Sequence, residues 1–149
     1  MDFPLNALPP LDIPALLREF DLRPKKSLGQ NFLADPAALR SVAQAAGITS
    51  EDTVLEVGPG MGSLTRYLAS QARKVVAVEL DSHMQAPFRR VMEPFSNVNL
   101  VVGDVLALSP ASLGLEPGYL VVANIPYYIT SALLRHLLEA APRPSRLVL

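Results

Sequence analysis

The stretch Val54–Gly62, which reads VLEVGPGMG, decides the fold of this chain. Its first residues are mostly apolar, as in a buried strand, and glycines at alternate positions follow. The next residues, Ser63–Leu68, have helical spacing. Glycine lets the backbone turn sharply and approach a ligand closely, where a Cβ would collide. The order of strand, glycine-rich turn and helix therefore predicts the start of a nucleotide-binding βαβ unit.

Further apolar runs extend this unit into a sheet. They are Val75–Val78, Val98–Val102, Tyr119–Ala123 and Arg146–Leu149. Helical patterns lie between them, including Ser131–Glu139 with its leucine-rich face. Ahead of the sheet, Asp35 and Pro36 predict a helix start as N-cap and first helical residue. Strands that alternate with helices form a parallel sheet, so we expect an α/β, Rossmann-like fold.

Acidic residues stand at two of the predicted strand ends. Glu79 lies about 20 residues past the glycines, the usual position of a carboxylate that binds both ribose hydroxyls. Asp104 follows the next strand, where its carboxylate can accept a hydrogen bond from an adenine amine. Either acid alone is equally consistent with a helix cap or a solvated loop. Their order at successive strand ends favours an adenosine site.

The glycine spacing helps to select the cofactor. A dinucleotide fingerprint reads GxGxxG and places a pyrophosphate at a helix N-terminus. Here Gly58, Gly60 and Gly62 are spaced GxGxG, and the acidic Glu56 precedes them. A buried acid would repel a pyrophosphate but would attract a cationic ligand. The loop therefore favours S-adenosylmethionine, with its ammonium and sulfonium groups, over NAD.

The motif Asn124–Tyr128, which reads NIPYY, follows an apolar run. The Asn124 side chain and the Ile125 carbonyl can both accept hydrogen bonds from the exocyclic amine of a base. Pro126 restricts the residue before it and so fixes the direction of that carbonyl. Tyr127 offers a face on which the base can stack. Taken alone, the motif is also consistent with a tight turn whose tyrosines fill a gap.

A basic segment, Lys25–Leu33, precedes the first strand. Lys25 and Lys26 can contact a phosphate backbone. Gln30 and Asn31 can hydrogen-bond one end of a ligand. On composition alone, a solvated basic linker into a helix explains this segment equally well.

Together these motifs resemble those of the KsgA-type ribosomal RNA adenine dimethyltransferases. The resemblance covers roughly residues 23–149, and the macrolide-resistance rRNA methylases are close relatives of the same group. The first and last motifs are specific to the group, whereas the middle ones are shared by many methyltransferases. In order they are KKSLGQNFL at 25–33, EVGPGMG at 56–62, ELD at 79–81, GD at 103–104 and NIPYY at 124–128.

The resemblance implies both a fold and an activity. The fold is the Rossmann-like class I fold of S-adenosylmethionine-dependent methyltransferases. The activity is transfer of methyl groups from S-adenosylmethionine to N6 of two adjacent adenosines in the 3′-terminal hairpin of small-subunit rRNA, during ribosome biogenesis. The implied partner is rRNA within an immature 30S subunit.

The resemblance also assigns site residues. Catalysis is implied for Asn124, Ile125, Pro126 and Tyr127. Cofactor binding is implied for Gln30, Asn31, Leu33, Gly58, Gly60, Glu79, Leu80, Asp104, Val105 and Asn124. RNA binding is expected of Lys25, Lys26, Tyr127 and Tyr128. No metal is expected, and His83 and His136 read as ordinary surface or packing residues.

Composition limits the other classes of protein. The chain has 149 residues, a formal net charge of −1 and no cysteine, which excludes disulfides and thiolate ligands. No apolar run reaches the length of a membrane span, and the start has no basic signal region. We therefore expect a cytoplasmic protein, without a membrane partner, that acts as a monomer.

The family pattern also predicts how the chain is divided. Residues 1–22 should form a loosely ordered arm around one short helix, Ala15–Phe20. Residues 23–149 should form the catalytic domain with about five of seven strands, and the helical C-terminal domain of the family should be absent. We expect such a chain to bind the cofactor weakly and to show little methylation by itself.

Two other functions remain open at this point. A non-catalytic RNA-binding assembly factor would share the fold and the basic segment. An NAD-dependent oxidoreductase would share the βαβ unit and Glu79. The glycine spacing, Glu56 and the NIPYY motif oppose the second alternative, because that motif has no role in hydride transfer.

Overall fold

A computed structural model describes residues 8–24 and 35–149, apart from the side chain of Tyr127. The helices are α1 Ile13–Glu19, α2 Pro36–Ala46, α3 Ser63–Ala69, α4 Gln85–Met92 and α5 Thr130–Glu139. The strands are β1 Thr53–Val57, β2 Lys74–Glu79, β3 Val98–Val102, β4 Leu120–Ala123 and β5 Arg146–Val148. Short 3₁₀ turns occupy Ser82–Met84, Val105–Ala107 and Tyr127–Ile129.

The strands form one parallel sheet in the order β3-β2-β1-β4-β5. All five apolar runs predicted from sequence are strands, and their ends differ from the prediction by one residue or less. Helix α2 begins as expected, since the Asp35 carboxylate accepts from the Ala37 N–H at 3.0 Å. The α/β, Rossmann-like fold is therefore confirmed.

The sheet is covered on both faces, as a parallel sheet requires. On one face, side chains of α2, α3 and α4 pack against alternate strand residues around Tyr67 and Phe88. On the other face, Leu133 and Leu137 of α5 pack with the loop that follows β3. Because all five strands are parallel, their carboxyl ends lie at one common edge of the sheet.

The N-terminal arm is more firmly packed than the sequence suggested. Helix α1 spans Ile13–Glu19, and Ile13 is buried against Met61 and Met84. The short helix predicted over Ala15–Phe20 is present, although it begins two residues earlier and ends one residue earlier. The packing of Ile13 was not predicted, because its partners lie far along the chain, in the glycine loop and beyond β2.

A glycine comparison tests how tightly the loop before α3 is packed. Gly62 has φ +95°, and an added methyl group would lie 2.7 Å from Cε of Met92, whereas Gly114, at φ +72°, has open space. Gly114→Ala should lower the free energy of unfolding by about 1–2 kcal/mol through the left-handed backbone alone. Gly62→Ala should cost about 1 kcal/mol more, because the buried Phe88 ring, 3.3 Å from the added methyl group, must shift as well as the flexible end of Met92. Urea unfolding of both variants measures the difference, and equal costs would contradict the packing described.

Candidate functional site

The site lies where the strand order reverses. Strand β1 pairs with β2 on one side and with β4 on the other, so the loops that follow β1 and β4 leave in opposite directions. Such a reversal opens a crevice outside the carboxyl ends of the strands, where α/β proteins bind ligands. The described sequence motifs follow β1, β2, β3 and β4 and therefore meet at this edge.

The glycine loop is held by hydrogen bonds of its own. Gly58 and Gly60 have φ of +73° and +59°, a conformation that favours glycine. The Gly58 N–H donates to the Val78 carbonyl and the Gly62 N–H to the Pro59 carbonyl, both at 2.9 Å. These N–H groups are thus engaged within the protein and are not directed at a pyrophosphate.

The Glu79 side chain joins this loop to the end of β2. One carboxylate oxygen accepts from the Gly60 N–H at 2.9 Å and the other from the Asp81 N–H at 2.8 Å. The side chain is buried, and this burial raises the pKa of Glu79, while the N–H bonds from Asp81 and Gly60 act in the opposite direction. Each oxygen keeps a lone pair that can accept from a hydroxyl group.

Glu56 is a second buried acid, at the carboxyl half of β1. Its side chain is 2% exposed, and it accepts a hydrogen bond from the Thr65 hydroxyl. Burial raises the pKa of Glu56 from 4.5 to about 8, the Thr65 bond lowers it in part, and the Glu79 charge raises it further. A cation bound nearby would favour the ionised form, whereas an anion would oppose it.

Around the ends of β2 and β3 the surface combines apolar and acidic groups. Leu80 follows Glu79 and is 57% exposed, an unusual position for a leucine. Asp104 is exposed, and one of its oxygens accepts from the Leu106 N–H at 2.9 Å. The helix-cap alternative for Asp104 is thus part of its role, since this bond caps the 3₁₀ turn Val105–Ala107. Val105 is buried beneath it.

The end of β4 carries two acceptors that make no hydrogen bond within the described residues. They are the side chain of Asn124, which is exposed, and the carbonyl of Ile125. This segment adjoins the glycine loop, since a methyl group added at Gly58 would lie 3.7 Å from Cγ2 of Ile125. Pro126 is half-buried, and its carbonyl accepts from the Ile129 N–H at 3.2 Å. Tyr128 is exposed.

The structure thus brings most of the predicted site together. The residues that meet at the carboxyl edge are Gly58, Gly60, Glu79, Leu80, Asp104, Val105, Asn124, Ile125, Pro126 and Tyr128. The residues Lys25, Lys26, Gln30, Asn31 and Leu33 and the side chain of Tyr127 lie outside the described residues. Their predicted roles stay predictions.

Sequence reasoning missed Thr65, which holds Glu56 from the first turn of α3. Helical spacing after Gly62 could have placed it near the loop, but its partner on β1 is set by tertiary packing. Neither histidine departs from expectation: the His83 ring lies 3.0 Å from Asp81, and the His136 ring lies 2.7 Å from the Leu108 carbonyl. Across the described residues, no cluster of His, Asp and Glu could hold a metal ion.

Two solved structures that share more than 30% identity with this chain are named as methyltransferases or methyl-transferring enzymes. The 23S rRNA methyltransferase ErmE has a TM-score of 0.67 and 36% identity, and the similarity covers 74% of this chain and 44% of that one. A dimethyladenosine transferase from Plasmodium falciparum has a TM-score of 0.65 and 32% identity, covering 76% and 40%. The fold is therefore the Rossmann-like class I fold of S-adenosylmethionine-dependent methyltransferases, as the resemblance implied.

The family follows from sequence similarity. Residues 22–149 match the ribosomal RNA adenine dimethylase family, and the chain belongs to it. Ribosomal RNA small subunit methyltransferase A of Leuconostoc citreum is 44% identical over 131 residues, which are 85% of this chain and 44% of that protein. The Moorella thermoacetica protein of the same name is 44% identical over 144 residues, 91% and 50% of the two chains. The chain spans about half the length of these curated relatives.

The raised pKa of Glu56 predicts a pH-dependent stability. Between 4.5 and about 8 the folded protein holds a proton on Glu56 that the unfolded chain has lost, so the free energy of unfolding should fall as pH rises through this window. Glu56→Gln removes this dependence. Urea unfolding of both proteins at about pH 5, 7 and 9 should therefore show the variant gaining relative stability with rising pH.

Glu51→Gln changes the same charge on an exposed surface and serves as the control. A difference between wild type and Glu56→Gln that stays constant from about pH 5 to 9 would show that Glu56 is not buried as described.

Proposed function

We propose that this chain carries the cofactor site and target-base site of an rRNA adenine N6-dimethyltransferase. Its substrate is N6 of two adjacent adenosines in the 3′-terminal hairpin of small-subunit rRNA, within an immature 30S subunit. We further propose that it acts as a monomer in the cytoplasm. Family membership supports the reaction class. The observation that carries the proposal is a pair of acceptors beside the glycine loop, the Asn124 side chain and the Ile125 carbonyl, which make no hydrogen bond within the described part of the chain.

The residues at the carboxyl edge fit S-adenosylmethionine better than a dinucleotide. The N–H groups of Gly58, Gly60 and Gly62 already have acceptors in the protein, so they do not form a phosphate cradle. The buried acid Glu56 is mostly protonated at neutral pH, and a cation bound nearby would favour its ionised form, which a pyrophosphate would not. S-adenosylmethionine, when bound here, supplies an electrophilic methyl group.

Other residues at this edge would hold the adenosine part of the cofactor. The free lone pairs of Glu79 can accept from the ribose hydroxyls, and Asp104 can accept from the adenine amine. The exposed side chain of Leu80 offers apolar contact to a flat base. Gln30, Asn31, Leu33 and Val105 complete the proposed set.

Asn124 and Ile125 would act on the target base. The amine of adenine is a poor nucleophile because its lone pair is delocalised into the ring. Hydrogen bonds from N6 to the Asn124 oxygen and the Ile125 carbonyl favour a tetrahedral nitrogen and stabilise the positive charge that develops on it. Pro126 keeps that carbonyl in position. No strong general base is required, since the proton can leave after transfer.

Positioning of the target base would supply the rest of the rate enhancement of methyl transfer. Stacking on Tyr127 would direct N6 toward the methyl group for in-line displacement. Tyr128, which is exposed, and the lysines Lys25 and Lys26 would contact the RNA around the extracted base.

Replacement of Asn124 tests the proposed chemistry. Asn124→Ala should slow methyl transfer by about 100-fold or more, because one acceptor of the transition-state charge is lost. S-adenosylmethionine affinity should stay within about threefold, since the acceptor serves the target base. Radiolabelled methyl incorporation into the rRNA hairpin, with the protein in excess over RNA, measures transfer, and calorimetry measures the affinity.

Asn99→Ala, an exposed asparagine on β3 away from the carboxyl edge, is the matched control and should leave transfer unchanged. Near-normal transfer by Asn124→Ala would exclude this mechanism. Binding of cofactor and RNA by the wild type without any transfer would favour the non-catalytic assembly factor instead.

A further inference from the structure

The N-terminal arm, defined here as residues 8–22, rests directly on the glycine loop. Ile13 forms a small buried cluster with Met61 and Met84 that is separate from the two main cores. Met61 stands between Gly60 and Gly62, so the arm covers the loop itself. Four leucines of the arm pack around this cluster: Leu11, Leu16, Leu17 and Leu22.

Arg66 forms a second contact between the arm and the helix that follows the glycine loop. It belongs to the first turns of α3, and its backbone N–H donates to the Gly62 carbonyl at 3.2 Å. Its side chain is 5% exposed, and Nη1 donates to the Pro9 carbonyl at 2.7 Å. Its Nε atom is buried and has no hydrogen-bond partner among residues 8–24 and 35–149.

A buried guanidinium with an unpaired donor is costly, and an apolar side chain would fill the same space more cheaply. The arrangement is therefore hard to explain by stability alone. It does connect the carbonyl of Pro9 to the helix that starts from the glycine loop. A third contact, between Arg90 and Glu19 at 2.6 Å, is half exposed and so contributes little.

The C-terminal end of the arm is also packed. Leu22 packs against the Met61 cluster shortly before Lys25, and α2 begins at Pro36 under the Asp35 cap. The C-terminal end of the arm is therefore held against the Met61 cluster by Leu22.

We propose that the arm is a positioning element of the cofactor site. It packs against Met61 and so supports the glycine loop, with Arg66 and Ile13 as positioning residues. The identity of the ligand rests on the function proposed above. Detachment of the arm would uncover Met61 and loosen the neighbouring Gly60 N–H, which holds Glu79.

Two variants test the contacts of the arm separately from the packing of the rest of the fold. Ile13→Ala weakens the Met61 cluster, and Arg66→Gln removes the bond to Pro9 without emptying that cluster. Leu113→Ala is the control, since Leu113 is buried to a similar extent, 8% exposed against 6% for Ile13, in the core on the opposite face of the sheet. Thermal unfolding followed by circular dichroism identifies a temperature at which every variant is folded, and all measurements are made there.

Two measurements then follow on the folded proteins. Hydrogen exchange of the Gly60 amide, without ligand, should be about tenfold faster in both arm variants. The Kd for S-adenosylmethionine should rise about tenfold if the competent fraction falls to about a tenth. Leu113→Ala should change either quantity by no more than about twofold.

Unchanged Gly60 exchange in both arm variants would overturn the proposal, whether or not the chain binds the cofactor. Equal changes in the arm variants and Leu113→Ala would overturn it too, because they would reflect general destabilisation. Faster exchange in the arm variants alone, with no cofactor binding by the wild type, would support the positioning of the loop and contradict the proposed function.

Discussion

The carboxylate of Glu79 is the group on which the functional edge depends. It is buried, and it accepts one N–H from the glycine loop and one from the turn after β2. A buried carboxylate that lost either bond would carry an uncompensated desolvation cost, so the two loops are held at one distance from each other. The parallel pairing of β1 with β2 then transmits this position to β4, where Asn124 begins its turn.

The two buried acids also determine the charge at this edge of the sheet. Glu56 and Glu79 lie on neighbouring strands, and burial raises the pKa of both. The pKa of Glu56 rises to about 8, so this acid is mostly uncharged at neutral pH. A cationic ligand would restore its charge by favouring ionisation of Glu56. Selectivity for a sulfonium compound over a pyrophosphate thus follows from two buried acids and from a loop whose N–H groups are engaged by the protein itself. The arm also supports this loop, because it packs against Met61 within it.

Much of this could be predicted from sequence, for identifiable reasons. Strands such as Val98–Val102 are apolar and β-branched, and the cap at Asp35 is a local interaction, so neither depends on distant residues. The carboxyl edge followed from the βαβ order alone. Three features could not be predicted, because each joins residues far apart in sequence: the Gly60 bond of Glu79, the Thr65 bond of Glu56 and the docking of Ile13. The short helix of the arm was predicted, at Ala15–Phe20 against the observed Ile13–Glu19, but its packing on the glycine loop was not.

The central claim is that the carboxyl edge of this sheet forms a site for a cationic adenosine cofactor. The most direct measurement is calorimetric titration of the chain with S-adenosylmethionine and, separately, with NAD, with circular dichroism to confirm folding. The structure predicts saturable binding of S-adenosylmethionine and none of NAD. Binding of NAD, or no binding of S-adenosylmethionine by a folded chain, would contradict the claim.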